Sequence, residues 1–596
     1  MKKILFILVA LNLYCIKTFG QSTVTFKVEN VPLTNNQKVG IRGNLPPLSW
    51  ENSIPLKKQD NSYFVALDFL NTKNDLEFKF VIIPDNNEPK WENIQNRTLV
   101  LNENQKSVSN NIWNREQIID INTLKSIPPE LLLEDYELIR KIVLEVHPGT
   151  FRYNTAKEIE SSLKELKSKF SKPLSYQEAY LAISKVTAQL KCDHTKAGFN
   201  NQDKIINSII HYQADKVPFT FRWIENEMIV THNASKNELL KRGTKILSIN
   251  TTPVSEIREQ LLQYVGADGD RNNNRIFKTE VNGFDFRYNA FDIFYPLLYP
   301  IKKGEIELEI QHHRTNRVDK IHLIPVTREK RFLTLTKRYG DFPKSRDDMW
   351  KFEIISDSIA KLTLNSFGLN GWKAMTIDYK LFLANAFDEI DKKEIEHLII
   401  DIRENTGGND EMSNELFKYL VETNYDFERE GRTRYVKFPE SLKPHIKTWR
   451  DNPWYYNLNP KDTNSIGGYY IFKDNFTPNK EISNYKVYRG KTYLITSAAN
   501  TSLAFYTALR FKLQQLGLII GQETGGNLND INGGQILFLN LPNSKIEIDF
   551  PVMGAFSNTK KPNTGVLPDV EVVYKIDDVL EKRDLELDTI LNMIKG

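Results

Sequence analysis

A serine that opens a helix after a buried strand sits where free backbone N–H groups and the helix dipole favour negative charge. Ser502 has that setting. Tyr493-Leu494-Ile495 reads as a buried strand, Leu503 to Leu516 as a helix, and Thr496-Ser497-Ala498-Ala499-Asn500-Thr501 joins them. The position suits a nucleophile and the oxyanion formed by its attack; it equally suits a plain N-cap. Three further segments carry chemistry. Ile399 to Asn409 is a buried strand running into a polar turn, where Gly407-Gly408 lets the backbone approach a substrate and aim N–H groups at it. Gly521-Gln522-Glu523-Thr524-Gly525-Gly526 follows the strand Leu518-Ile519-Ile520, and Asp193-His194-Thr195 closes a helical region. The nine histidines form neither HExxH nor a Cys/His cluster, and His312-His313 fall near a hairpin tip. No Walker-type loop and no GxSxG elbow is present. No metal and no organic cofactor is expected.

These segments need elements to hold them. Residues 21–113 read as a β domain: Val24 to Val28 alternates with period two, and Ser62 to Phe69 and Leu76 to Ile83 are further strands. Residues 114–215 contain three apolar stripes at helical spacing: Leu133 to Val146, Ile159 to Phe170, and Tyr176 to Leu190. His147-Pro148-Gly149 breaks the chain after the first. Residues 216–330 turn β-rich again, with a strand ending at Asn250 and a hairpin from Glu305 to Val326 closed through His313 to Arg317. Residues 331–596 alternate strand and helix, which predicts α/β layering on parallel strands. Within them, 424–488 is rich in Tyr, Trp, Lys and Asn and reads as an insertion or lid.

Taken together, the four segments resemble the serine peptidases of the carboxyl-terminal processing (tail-specific) and tricorn-core type. The D-x-R-x-N-x-G-G turn is matched by Asp401, Arg403, Asn405, Gly407 and Gly408. The T-S-x-x-x-x-S helix start is matched by Thr496, Ser497 and Ser502, and Gly521 opens the next turn nineteen residues later. His194-Thr195 matches an H-T motif after the helical region, and Gly565, Val566, Pro568 and Asp569 match a closing G-V-x-P-D. The resemblance covers about residues 130–590. It implies a multidomain chain with a ClpP/crotonase-like α/β peptidase core, a helical bundle and a PDZ-like domain. It implies Ser502 as nucleophile, His194 as general base, and an oxyanion hole from Leu503 N–H with Gly407 or Gly408. A peptide or protein is the implied substrate, taken by adding a strand to the PDZ-like sheet edge. The sequence departs from the pattern in three places. No lysine stands where the Ser/Lys branch has one, near Gly526-Asn527. Lys560-Lys561-Pro562-Asn563-Thr564 has no acid where the Ser/His branch has its orienting carboxylate. Leu503, Ala504 and Phe505 replace the acids after the nucleophile. Asp193, Glu523 and Asp530 are the candidate substitutes. A catalytically degenerate peptidase fold that binds glycan or peptide is the alternative.

The β domain has a resemblance of its own, to a starch-binding domain (carbohydrate-binding module family 20). It lies in Arg42-Gly43-Asn44 with Leu48-Ser49-Trp50, in Glu77-Phe78-Lys79-Phe80, and in Trp91-Glu92 followed by Asn96-Arg97. It implies a β-sandwich in which Trp50 and Trp91 stack on sugar rings while Lys79 and Asn96 hydrogen-bond to them; the same tryptophans serve equally as core anchors of a spacer domain.

The 596 residues are 40% hydrophobic and 26% charged, the mix of folded globular domains. A net charge of +4 excludes a strongly basic nucleic-acid binder on composition. Lys2 and Lys3, the apolar run Ile4 to Ile16, and Thr18 and Gly20 before Gln21 form a signal-peptide pattern over residues 1–20. The chain is therefore expected to be exported, to the periplasm, cell surface or medium. Cleavage removes Lys2, Lys3 and Lys17, lowering the net charge to +1, and leaves Cys192 as the only cysteine. No later run is long enough for a transmembrane segment.

Overall fold

The structure, a computed structural model, describes residues 21–596 apart from 35, 60–61, 71–75, 85–87, 93, 95, 100, 102–105, 115–118, 200, 284–287, 302–303, 341–348, 369–376, 425–429, 449–462, 473–480, 484 and 558. The expected signal segment lies outside the described residues, as do parts of the expected insertion. The chain divides into two compact units, one ending at Asp120 and one beginning at Ile121.

The first unit is built from two sheets. Gln21–Glu29 pairs antiparallel with Ser62–Leu70 and parallel with Lys106–Ile112. Lys38–Gly43 pairs with Leu76–Ile83 in the other sheet. Period-two alternation sends Val24, Phe26 and Val28 from one sheet and Phe78 and Phe80 from the other into a common core. The Glu92 and Arg97 side chains are fully enclosed, and two hydrogen bonds join them, at 2.6 and 3.1 Å.

The second unit is organised by a six-stranded sheet. Its strands run in the order Trp350–Ser356, Ile359–Leu364, His397–Asp401, Lys491–Thr496, Gly517–Gly521 and Val570–Glu571. The first pair is antiparallel and the rest are parallel, as the strand–helix alternation predicts. Each central strand is apolar on both faces, because both are covered. Leu398, Ile400, Leu494 and Ile519 pack with helices Tyr379–Lys392, Asp410–Lys418 and Ser502–Leu513. Ile399, Tyr493, Ile495 and Ile520 pack with the C-terminal segment that includes Leu585–Lys595.

Three helices, Pro129–Lys141, Ala156–Phe170 and Tyr176–Gln189, follow the three predicted stripes; the second and third begin with reciprocal capping boxes at Thr155 and Ser175. A further antiparallel sheet orders Phe219–Ile224, Glu227–Asn233, Lys245–Ile249, Ile306–Gln311 and Val318–Leu323. Between its third and fourth strands lie helices Val254–Leu262, Asn272–Lys278 and Ala290–Leu298, which the β-rich reading of this region did not anticipate. Within the stretch expected as an insertion, Glu430–Thr433, Ile446–Lys447, Thr463–Ile466 and Tyr469–Phe472 extend a sheet centred on Gly534–Asn540 and Glu547–Phe556.

Candidate active site

Four loops converge at the carboxyl ends of the central parallel strands, and Asn500 holds three of them together. Its amide donates to the carbonyls of Ile402 (2.6 Å) and Asn405 (2.9 Å), and its Oδ1 accepts from Ser497 N–H at 2.8 Å. Its carbonyl accepts from Gly525 and Gly526 N–H at 2.9 and 3.1 Å. The turn after His397–Asp401, the strand–helix link and the glycine turn after Gly517–Gly521 therefore share one buried pin. The glycine turn also carries the Gly565-Val566 segment. Thr524 Oγ1 accepts from Val566 N–H (2.8 Å) and Glu523 Oε1 from Gly565 N–H (2.8 Å).

Ser502 begins the helix with φ +49°, a left-handed conformation unusual for a non-glycine residue. Thr501 occupies the cap position, so Ser502 is the first helical residue and not the N-cap. Its Oγ lies 3.1 Å from His194 Nε2. The conformation is of the kind held only where surroundings over-determine it, at a cost of about 1–3 kcal/mol. Gly407 (φ +114°) packs on Ser502: a Cβ there would lie 2.7 Å from the serine Cβ and 3.0 Å from Leu503 N. Gly408 (φ +143°) packs more tightly still on the Phe367 carbonyl, where a Cβ would lie 2.2 Å from the oxygen. The Gly407 N–H is taken by Asn405 Oδ1 at 2.8 Å. The Gly408 and Leu503 N–H groups have no acceptor among the described residues.

His194 arrives from another direction. The helix Tyr176–Gln189 ends just before it, and Lys196–Ala197 pairs with Asp549 and Ile548 of the long strand, fixing the loop on both sides. The ring packs on Gly533, where a Cβ would lie 2.8 Å from Cε1. Burial pulls the imidazole down to about 4; the Asp193 charge opposes this, while Lys196 and Lys278 reinforce it. His194 is therefore neutral at pH 7 and able to accept a proton. Its Nδ1 is buried with no hydrogen-bond partner among the described residues, although the Asn532 backbone faces the ring.

The three acids considered for orienting His194 make other contacts. Asp193 is engaged by Lys278 Nζ; burial would raise its carboxyl, but the Lys278 and Lys196 charges hold it well below the usual carboxylate range. Glu523 pairs with Arg271 at 2.6 Å. Asp530 accepts from the Tyr506 hydroxyl at 3.2 Å. Asp401 and Arg403 of the strand turn bond to each other, and Arg403 continues to Asp584 (2.7 Å) and Glu586 (2.9 Å), fastening the C-terminal helix. Asp569 closes the sheet edge by accepting from Ile519 N–H at 2.8 Å. Asn274, on a helix the sequence reading missed, donates to the Ala498 carbonyl at 2.8 Å and braces the strand–helix link. Among the described residues, one group of side chains could hold a metal: Cys192, His194 and Asp268, with donor atoms within 4.8 Å of one another. Burial pushes the Cys192 thiol up to about 12, so it keeps its proton at neutral pH.

Residues 358–572 match the model of Peptidase family S41. That segment is similar to the S41 peptidases. The matched segment holds five of the six central strands, the glycine pair, Ser502 and the Gly565-Val566 turn, and it supports a serine-type peptidase. Residues 21–111 match a starch binding domain. Mature CPAF complexed with lactacystin is similar to this chain, with a TM-score of 0.53 and 13% identity over 78% of this chain and 98% of that one. Mature CPAF alone gives a TM-score of 0.52 at 12% identity, over 78% and 96%. At such identity the likeness concerns the fold. No curated protein matches.

In the N-terminal unit, Trp50 and Trp91 lie side by side with ring centroids 6.1 Å apart. Trp91 is 38% exposed, and the Arg42 guanidinium sits 5.1 Å over its ring. Lys79 pairs in register with Arg42, and Asn96 donates to Glu77 at 3.1 Å. By contrast Glu92 and Arg97, from the same motif, are internal.

Proposed function

We propose that this chain is an exported peptidase that hydrolyses peptide bonds through an acyl-enzyme on Ser502, with His194 as general base. The observation that carries the reading is the 3.1 Å contact between His194 Nε2 and the Oγ of a serine held at φ +49°. Neutral His194 takes the Oγ proton as Oγ bonds to the scissile carbonyl carbon, and the carbonyl π pair moves onto oxygen. The N–H groups of Gly408 and Leu503 receive that oxyanion. Gly407, whose own N–H is engaged by Asn405, serves by leaving room for Ser502. The oxyanion then re-forms the carbonyl as the C–N bond breaks and the imidazolium protonates the leaving amine; water, deprotonated by the same nitrogen, attacks the acyl carbon, and the imidazolium returns the proton to Ser502 Oγ as the C–Oγ bond breaks. Each step closes without a metal or an organic cofactor.

The sheet from Phe219 to Leu323 is a PDZ-like domain in this reading, offering an edge to an extended peptide, and the three helices before it form the bundle. The N-terminal unit binds an α-glucan across Trp50 and Trp91, with Lys79 and Asn96 at the rim. The unpartnered Nδ1 of His194 favours one rival, a degenerate core that binds without cleaving. Turnover of a quenched casein or peptide-library substrate separates the two. Hydrolysis by the wild type that is lost in Ser502→Ala, with the fold unchanged, is expected. Equal hydrolysis in that variant overturns the proposal.

A further inference from the structure

Among the described residues, the buried His194 Nδ1 and Asp268 Oδ2, beside the catalytic pair, have no hydrogen-bond partner. A carboxylate oxygen of Asp268 and a ring nitrogen of His194 belong to the same cluster, within 4.8 Å. Asp268 is almost wholly enclosed, at 1% exposure. Its loop is clamped to the His194 loop from both sides: Oδ1 accepts from Asp193 N–H at 3.1 Å, and Gly269 N–H donates to the Lys191 carbonyl at 3.0 Å. Its carbonyl accepts from Asn527 at 3.1 Å, which ties it to the glycine turn near Ser502. None of these bonds uses Oδ2.

We infer that Asp268 is the positioning carboxylate of His194, supplied from a loop outside the sequence region where an acid was expected. The inference rests on the Ser502–His194 reading. With Nε2 directed at Ser502, the other ring nitrogen carries the proton, and the Asp268 charge holds that tautomer. When His194 takes the serine proton it becomes cationic in a buried site, where a carboxylate within 5 Å is worth far more than in water. Asp268 keeps no proton through the step; it balances the imidazolium and releases it unchanged. Apo geometries of such contacts are commonly long and tighten around substrate. The groups facing Asp268 are Asp193, Lys278, Arg152, Cys192, Tyr153 and His194. Burial and the Asp193 charge push the Asp268 carboxyl above the usual carboxylate range.

The test is the rate of Ser502 phosphonylation by a peptidyl phosphonate, followed from about pH 5 to about pH 9 in the full mature chain and in Asp268→Asn. Asparagine retains an oxygen for the Asp193 N–H, and thermal melting verifies the fold. The variant is expected to be slower by about 10²- to 10⁴-fold across that range. A wild type that never labels defeats the Ser502–His194 reading itself. A labelling wild type with a variant rate within threefold overturns the role of Asp268 and leaves orientation to the Asn532 backbone. Should Asp268→Asn melt well below the wild type, Asp268→Glu decides: labelling restored toward the wild-type rate supports the inference, and labelling as slow as in Asp268→Asn overturns it.

Discussion

Gly407 stands so close to Ser502 that a single added carbon would lie 2.7 Å from the serine Cβ and 3.2 Å from its Oγ. The strand turn and the helix start, about a hundred residues apart, thus form one surface, with the Gly408 and Leu503 N–H groups beside it. Gly407→Ala is expected to fold, with a loss of about 1–3 kcal/mol from the positive φ and the clash. Its kcat/KM should fall by at least about 100-fold, far more than the stability loss accounts for. Comparison of thermal melts with peptide turnover checks both.

Asn500 is the second structural determinant of the site. Asn500→Ala leaves the Ile402 and Asn405 carbonyls and the Ser497 N–H short of partners in a buried setting. At about 1 kcal/mol or more for each lost bond, denaturant unfolding should show about 2–4 kcal/mol less stability. Residual activity at low temperature should also be depressed, because the three loops lose their common pin. Unchanged unfolding and turnover would contradict this role.

Asp549 links pH to stability through the strand that fixes the His194 loop. Burial raises its carboxyl from 3.8 to about 7; Lys196 opposes the shift and Glu547 adds to it. The folded chain holds that proton between pH 3.8 and about 7, where the unfolded chain has released it, so this contribution is full at low pH and is lost as pH rises through 7. Asp549→Asn removes the titration. The variant should melt with the wild type near pH 4 and several degrees above it near pH 8. Equal differences at both pH values would contradict the buried, protonated carboxyl.

In the N-terminal unit the same motif divides between surface and interior. Trp50→Ala and Trp91→Ala should abolish retention on soluble starch or β-cyclodextrin without lowering the melting temperature of this unit. Arg97→Ala strands a buried Glu92 and should cost about 3–5 kcal/mol. A tryptophan variant that unfolds the unit would return both rings to a structural role.

The strands of the central sheet and the three helical stripes were legible because each has its own period: alternate apolar residues on covered strands, and three- and four-residue spacing from Leu133 to Leu190. The helices between Val254 and Leu298 were less so. Ala290–Leu298 carries Pro296 in its interior, which reads as a helix breaker, while Asn272–Lys278 is three asparagines followed by Arg275, a composition that favours turns. Tertiary bonds, such as Asn274 to Ala498, accompany it in the helical state. Motif order pointed to Ser502, His194 and the glycine pair, which the structure brings together. It did not point to Asp268, because that residue lies 75 residues beyond Asp193 in a loop with no local pattern, and only the folded chain brings it to the ring. The nearby acids that looked suitable, Asp193 and Glu523, are held by Lys278 and Arg271, and such pairings leave no mark in a single sequence.

The central claim is that His194 activates Ser502. Its most direct measurement is to label the folded mature chain with an active-site serine phosphonate and map the modified residue by peptide mass spectrometry. The account predicts modification at Ser502 in the wild type and none in His194→Ala. No modification, or modification at another serine, in protein shown to be folded would contradict it.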